Sequence, residues 1–135
     1  MAESWVINAS PTILLAKAGL IELIPRLIAN LVIPRPAAAE LSSLAQSGIG
    51  SGERAVISWA AATPGFVTVL DDLQARRVAR NLGVPLIGTV GVVLRLKQAR
   101  LISETKPHLK NIRAADGYIG EELFIAALQQ VGESP

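Results

Sequence analysis

Four short aliphatic segments, each followed by a stretch with helical spacing, limit this chain to one class of fold. The segments are rich in Val, Ile and Leu and show no clean alternation of apolar and polar residues, which is typical of parallel strands buried on both faces. Strands that alternate with helices predict an α/β fold with a central parallel sheet and crossover helices. The predicted strands are Trp5–Asn8, Leu31–Ile33, Phe66–Leu70 and Pro85–Ile87.

Helices are predicted in the remaining segments. Ser10 can cap the first of them, with Pro11 in its first turn, and Thr89 can cap the helix that follows the fourth strand. Pro25 predicts a kink or a break in the second helix. The predicted ranges are Thr12–Ala18, Leu20–Ala29, Pro36–Ala45, Gly52–Ala62, Asp72–Leu82, Thr89–Arg100, Pro107–Ala114 and Glu121–Val131.

The composition excludes several kinds of site. The 135 residues include no cysteine and one histidine, so disulfides, zinc–thiolate sites, a Cys nucleophile and multi-His metal sites are excluded. A metal would need carboxylate ligands, which suit Mg²⁺ or Mn²⁺. The length predicts a single domain over residues 1–135. The lack of cysteine, of a long apolar span and of signal-peptide features leads us to expect a cytoplasmic protein.

The basic residues are concentrated in one part of the sequence. Between Leu73 and Ala115 nine Lys and Arg residues stand against one acid, Glu104, whereas the rest of the chain has four basic and ten acidic residues. This asymmetry indicates a polyanionic ligand or an acidic protein partner. Solvated helix faces would produce the same pattern.

Acidic and amide side chains are predicted to gather at one edge of the sheet, because parallel strands share an edge for their C-terminal ends. Asn8 ends the first strand, and Asp71 and Asp72 end the third. Glu40 lies one turn into the helix after the second strand, and Glu53 begins the helix after a Gly-rich loop. Clustered carboxylates repel each other unless a cation lies among them. A divalent metal there would activate water and hold a phosphodiester.

Each acid also has an ordinary structural role open to it. Glu40 can be a solvated helix residue, and Glu53 can stabilise a helix N-terminus through the macrodipole. Asp72 can cap its helix, which would leave Asp71 to face the crevice, and the reverse assignment is nearly as good.

A series of short motifs follows the same order along the chain. They are Val6-Ile7-Asn8-Ala9-Ser10-Pro11, Ile33-Pro34 with Glu40, Gly52-Glu53, Leu70-Asp71-Asp72 with Ala75-Arg76-Arg77-Val78-Ala79, and Ile87-Gly88-Thr89-Val90-Gly91-Val92. This ordered series resembles PIN-domain proteins, specifically a short prokaryotic group related to the toxin nucleases of toxin–antitoxin pairs. The resemblance implies a PIN-like three-layer α/β/α sandwich with a central parallel sheet.

The resemblance also implies metal-dependent cleavage of RNA by a group of acidic residues. Asn8 stands where PIN nucleases usually have an Asp, and Ser10 matches a hydroxyl that often follows two positions later. The implied catalytic residues are Glu40, Glu53, Asp71 and Asp72. The implied ligands of Mg²⁺ or Mn²⁺ are Asn8, Glu53, Asp71 and Asp72, with Ser10 and Thr89 in support. The implied RNA contacts are Arg76, Arg77, Arg80 and Lys97.

Two other functions stay open at this point. Asn8 brings no charge to a metal site, so a PIN-like module that binds RNA or a partner protein, such as a cognate antitoxin, without cleaving RNA is the main alternative. A small nucleotide-binding α/β protein is disfavoured because no Gly-rich phosphate motif follows the first strand.

The mean hydropathy of +0.42 and the 50% hydrophobic content predict a homodimer, because a monomer of this size hides little apolar surface. Light scattering at micromolar concentration should give twice the chain mass of 14.2 kDa. A particle of the single-chain mass would contradict this prediction.

Overall fold

A four-stranded, all-parallel sheet forms the centre of the computed structural model, which describes residues 3–35, 44, 47–115 and 117–135. The strand order is β2-β1-β3-β4, so the first strand lies inside the sheet. The strands are β1 (Ser4–Ile7), β2 (Asn30–Val32), β3 (Phe66–Val69) and β4 (Leu86–Ile87). Each overlaps a predicted strand, and the predicted parallel sheet is confirmed.

Helices connect the strands and extend beyond them. They are α1 (Ala9–Lys17), a 3₁₀ helix (Ile21–Arg26), α2 (Ser51–Ala62), α3 (Leu73–Asn81), α4 (Thr89–Gln98), α5 (Lys106–Ala114) and α6 (Glu121–Gln130). The segment predicted as a kinked helix is the 3₁₀ helix, and Pro25 lies inside it, where its missing N–H removes a helical hydrogen bond. The predicted helix Pro36–Ala45 lies outside the described residues, apart from Leu44. No helix in the described part of the chain has the length and apolarity needed to cross a membrane.

Two of the predicted helix caps are wrong. Asn8, not Ser10, is the N-cap of α1, because its backbone keeps the extended conformation of β1 and its Oδ1 accepts the N–H of Ala9 at 2.8 Å. Gly88 is the N-cap of α4, so Thr89 is the first helical residue and its hydroxyl is turned to a different partner.

The predicted cap at Asp72 is confirmed. Its Oδ2 accepts the N–H of Ala75 at 2.9 Å at the start of α3. A carboxylate is well suited to this position because it satisfies an unpaired N–H and faces the positive end of the helix dipole.

The side chains of β1 divide the core into two layers. Trp5 and Ile7 point into a layer formed with the 3₁₀ helix, α1, α4, α5 and α6, whereas Val6 points into a layer formed with α2 and α3. All three side chains are at most 1% exposed. Full burial of one such side chain stabilises the fold by roughly 1.5–3 kcal/mol. The result is the predicted three-layer α/β/α sandwich.

The tail after α6 is tied to the start of α5 by Glu133. Its carboxylate accepts the N–H groups of Thr105, at 3.0 and 2.8 Å, and of Lys106, at 3.1 Å, and Lys97 Nζ lies 3.7 Å away. Burial by itself would raise the pKa of Glu133, but the two backbone donors and Lys97 outweigh it and hold the pKa below its ordinary value of 4.5. Glu133 therefore supplies the cap that the side chain of Thr105 does not.

We predict that Glu133→Gln lowers the free energy of unfolding by about 1 kcal/mol at neutral pH, because the charged cap is lost. A carboxyl group whose pKa is lowered by folding stabilises the protein above pH 4.5 and loses that contribution as the pH falls through the lowered value. The difference between variant and wild type should therefore shrink in acid. Urea unfolding at several pH values measures it, with Glu104→Gln, an exposed acid of the same region, as control. An equal difference at every pH would contradict the assignment.

Candidate functional site

Polar side chains follow three neighbouring strands at the C-terminal edge of the sheet. Asn8 comes directly after β1, Asp71 and Asp72 follow β3, and Thr89 follows β4. Since β3 lies between β1 and β4, the folded chain brings these positions to one edge. This is the place where open parallel sheets hold their ligands.

The start of α2 lies against Asn8. A Cβ atom added to Gly52 would stand 2.5 Å from Asn8 Oδ1, so only a glycine leaves room for this amide. Glu53 is the next residue, and its Oε1 accepts the N–H of Gly50 at 3.1 Å in a helix-capping arrangement. The hydrogen bonds that Asn8 and Glu53 accept here are both helix caps, at the start of α1 and of α2.

Glu53 and Asp72 form the acidic pair of the site. Burial raises the pKa of Glu53, the Gly50 N–H opposes that shift, and the negative charge of Asp72 raises it further, so that the pKa lies above the ordinary 4.5. The charge of Asp72 therefore acts on Glu53, although Asp72 also caps α3. Each capping bond occupies one oxygen of its carboxylate.

Asp71 is turned away from this pair toward α4. Its Oδ1 accepts the backbone N–H of Thr89 at 2.7 Å, and its Oδ2 accepts the Thr89 hydroxyl at 2.5 Å. Thr89 is 2% exposed whereas Asp71 is an exposed residue, so the donors of this contact are buried and the carboxylate lies at the surface. Asp71 therefore joins the end of β3 to the beginning of α4.

Arg76 lies beside Asp71, one turn into α3. Its Nη1 donates to the carbonyl oxygen of Leu70 at 3.0 Å. A Cβ on Gly88 would stand 2.7 Å from this Nη1 and 3.1 Å from Asp71 Oδ1, so the guanidinium and the carboxylate both approach Gly88. Burial and then Arg80 lower the pKa of Arg76 and Asp71 partly offsets them, but a guanidinium stays charged at neutral pH.

Of the other predicted site residues, three are exposed on helices and one lies away from this edge. Ser10 is exposed in the first turn of α1, and Arg77 and Arg80 are exposed on α3. Lys97 is near the far end of α4, where it donates to Ser103 and pairs with Glu133, so the fold does not bring it to the edge. Glu40 lies outside the described residues.

The donor set at this edge has the right chemistry for Mg²⁺ or Mn²⁺ but is small. Within the described ranges, no three His, Cys, Asp or Glu side chains lie close enough together to hold a metal ion. Mg²⁺ commonly keeps several waters and takes one or two carboxylates together with substrate phosphates. Glu53 and Asp72, with the amide oxygen of Asn8 nearby, fit that form of binding.

Sequence reasoning missed the contacts at Gly52 and Gly88 and the bond from Thr89 to Asp71. The signal available was a glycine placed just before or inside a helix start, which marks a close approach when the backbone itself does not need glycine. Two hydrogen bonds hold the Gly-rich loop that precedes α2 (residues 47–50). Gln74 Nε2 of α3 donates to Ser47 O at 2.6 Å, and Arg54 Nη1 of α2 donates to Ile49 O at 2.7 Å.

We predict that Gly52→Ala destabilises the protein, because the new methyl group would overlap Asn8 Oδ1. Replacement of a helical glycine by alanine ordinarily stabilises by about 0.5–1 kcal/mol. In an Asn8→Ala background that ordinary gain should reappear, since the obstructing amide is gone. Thermal unfolding of the four proteins of this double-mutant cycle measures the coupling. Equal effects of Gly52→Ala in both backgrounds would contradict the contact.

The sequence is similar to a known protein family. A family model described as a PIN domain matches residues 36–133. No curated protein and no solved structure matches the chain in the corresponding searches. The family match covers well over half of the chain and spans Glu53, Asp71, Asp72 and Thr89. The chain therefore belongs to the PIN-domain family, whose members are nuclease-like modules.

Proposed function

We propose that this protein is a PIN-type endoribonuclease that depends on Mg²⁺ or Mn²⁺. The observation that carries the proposal is that Glu53 and Asp72 cap the neighbouring helices α2 and α3 at the C-terminal edge of the sheet, with the Asn8 amide against the start of α2, in a chain of the PIN-domain family. Two repelling carboxylates beside a neutral amide oxygen are an arrangement that a divalent cation relieves.

Glu53 and Asp72 would hold the metal, with Asn8 contributing a neutral oxygen. The bound ion would supply a water of lowered pKa and would neutralise charge on the phosphodiester. In each carboxylate, the oxygen that is not engaged in a helix cap would be the one offered to the metal. Asp71, bonded twice to Thr89, would act by positioning its neighbours.

The basic residues at the beginning of α3 would hold the RNA backbone. Arg76 lies at the edge itself, and Arg77 and Arg80 are exposed further along the same helix. Such contacts give affinity that falls steeply with salt and carries little sequence information. Lys97 lies with Ser103 and Glu133, so it would contact only RNA that extends well away from the acidic pair.

We further propose that the protein is the toxin component of a toxin–antitoxin pair and acts as a homodimer. The resemblance to toxin nucleases supports the first part. Exposed apolar side chains support the second: Leu73 is 75% exposed and Tyr118 is 95% exposed. A neighbouring gene for a small DNA-binding protein, whose co-expression relieves growth arrest, would support the pairing.

A module that binds RNA or a partner protein without cleavage is the second candidate. It is favoured by the uncharged Asn8 and by the lack of any three-acid group within the described residues. Calorimetric titration with Mn²⁺ distinguishes the two functions. Salt-sensitive RNA binding without any metal binding would select this candidate over the nuclease.

We predict that the purified protein cleaves single-stranded RNA with Mn²⁺, and that Glu53→Gln and Asp72→Asn each lower the turnover rate by about 100-fold or more, because each removes a proposed metal ligand. Asp71→Asn should have a smaller effect, because its oxygens are engaged by Thr89.

Glu104→Gln is the matched control, because it removes one exposed carboxylate from a loop outside the acidic pair. It should leave the rate unchanged. The proposal is contradicted if the wild-type protein with Mn²⁺ cleaves no RNA, or if Glu53→Gln and Asp72→Asn cleave as fast as the wild type.

A further inference from the structure

The carboxylate of Asp71 is bound to the start of α4 at two points. Both of its oxygens are taken by one residue, Thr89, at 2.7 and 2.5 Å. One donor is a backbone N–H at the start of α4, and the other is a hydroxyl in a residue that is 2% exposed. A carboxylate held at two points by a buried residue is fixed in orientation.

Arg76 is a charged group close to this carboxylate. Its Nη1 and Asp71 Oδ1 lie on the same side of Gly88, where a Cβ would stand 2.7 and 3.1 Å from them. The attraction of Asp71 acts on the Arg76 charge and opposes the repulsion from Arg80. The second restraint on the guanidinium is the 3.0 Å bond from Nη1 to Leu70 O.

We propose that Thr89 is a positioning residue, which orients Asp71 so that Asp71 holds the Arg76 guanidinium in place to bind an RNA phosphate at the edge of the acidic pair. The inference rests on the proposed RNA substrate but not on cleavage. A planar guanidinium that keeps donors available beyond Nη1 is suited to bidentate phosphate binding, and a fixed orientation reduces the entropy lost in each bond.

The alternative is that Thr89 only stabilises the start of α4. The stability of a Thr89 variant distinguishes the two roles only in part, because replacing the threonine would lower the free energy of unfolding in either role. The salt dependence of RNA binding separates them fully, because it counts the phosphates that the protein contacts. A purely structural threonine would leave that count unchanged in the folded variant.

The experiment measures binding of a short, unstructured, fluorescent oligoribonucleotide over a salt series without divalent metal. Arg76→Gln should weaken binding about five-fold and reduce the salt slope by about 0.7, the loss of one single-strand phosphate contact. Thr89→Val should produce a similar change, and Thr89→Ser, which keeps the hydroxyl, should bind like the wild type. The Thr89→Val and Arg76→Gln double variant should bind no more weakly than Arg76→Gln alone.

Arg77→Gln is the matched control, because Arg77 is an exposed arginine next to Arg76 on the same helix. Its effect should add to that of Thr89→Val. Circular dichroism melts confirm that every variant is folded at the binding temperature.

Several results would overturn the inference. If Thr89→Val binds RNA with the wild-type salt slope, Thr89 has no positioning role. The same conclusion follows if the losses of binding free energy in Thr89→Val and Arg76→Gln are additive. Arg76→Gln with wild-type binding removes the phosphate contact, and wild-type protein that does not bind RNA removes both. A protein that binds RNA with the expected coupling but never cleaves it would contradict the proposed nuclease and leave this inference standing.

Discussion

The burial of β1 on both faces is the constraint on which the rest of the structure depends. This strand pairs with β2 on one side and β3 on the other, so its backbone is satisfied within the sheet. Trp5 and Ile7 fill one core layer and Val6 fills the other. Because side chains alternate along a strand, a shift of one residue would exchange the two layers and put Trp5 against α2 and α3. The end of β1 therefore lies at one defined place, and so does Asn8.

The site follows from this placement because helices begin where the parallel strands end. Each of the polar groups at the edge does structural work: Asn8 caps α1, Glu53 caps α2, Asp72 caps α3 and Asp71 binds the first residue of α4. The positive ends of these helices stabilise the negative charges that catalysis would use. The cost of clustering acids is thereby reduced, although burial and, to a smaller extent, the charge of Asp72 still raise the pKa of Glu53.

Much of this could be predicted from the sequence, and the errors have clear physical causes. The strands and most helices were predictable because runs of Val, Ile and Leu and the helical spacing reflect local preferences and burial. The caps at Ser10 and Thr89 were wrong because several polar residues near a helix start can cap it, and the backbone leaving the strand decides which one does. The gathering of Asn8, Glu53 and Asp72 at one edge was predictable, because parallel strands share an edge for their C-terminal ends. The separation of Lys97 from them could not be predicted, because it depends on helix length and packing in three dimensions.

The sequence by itself determined the class of fold, the types of ligand atom available and the polar residues that end the strands. These properties depend on the chemistry of single residues and on short-range periodicity. Only the tertiary structure decided that the Asn8 amide lies against Gly52 and that Thr89 binds both oxygens of Asp71. It also decided that Arg76 and Asp71 both lie close to Gly88. Those contacts join residues from separate segments, and their existence depends on how closely two backbones approach, which no local pattern records.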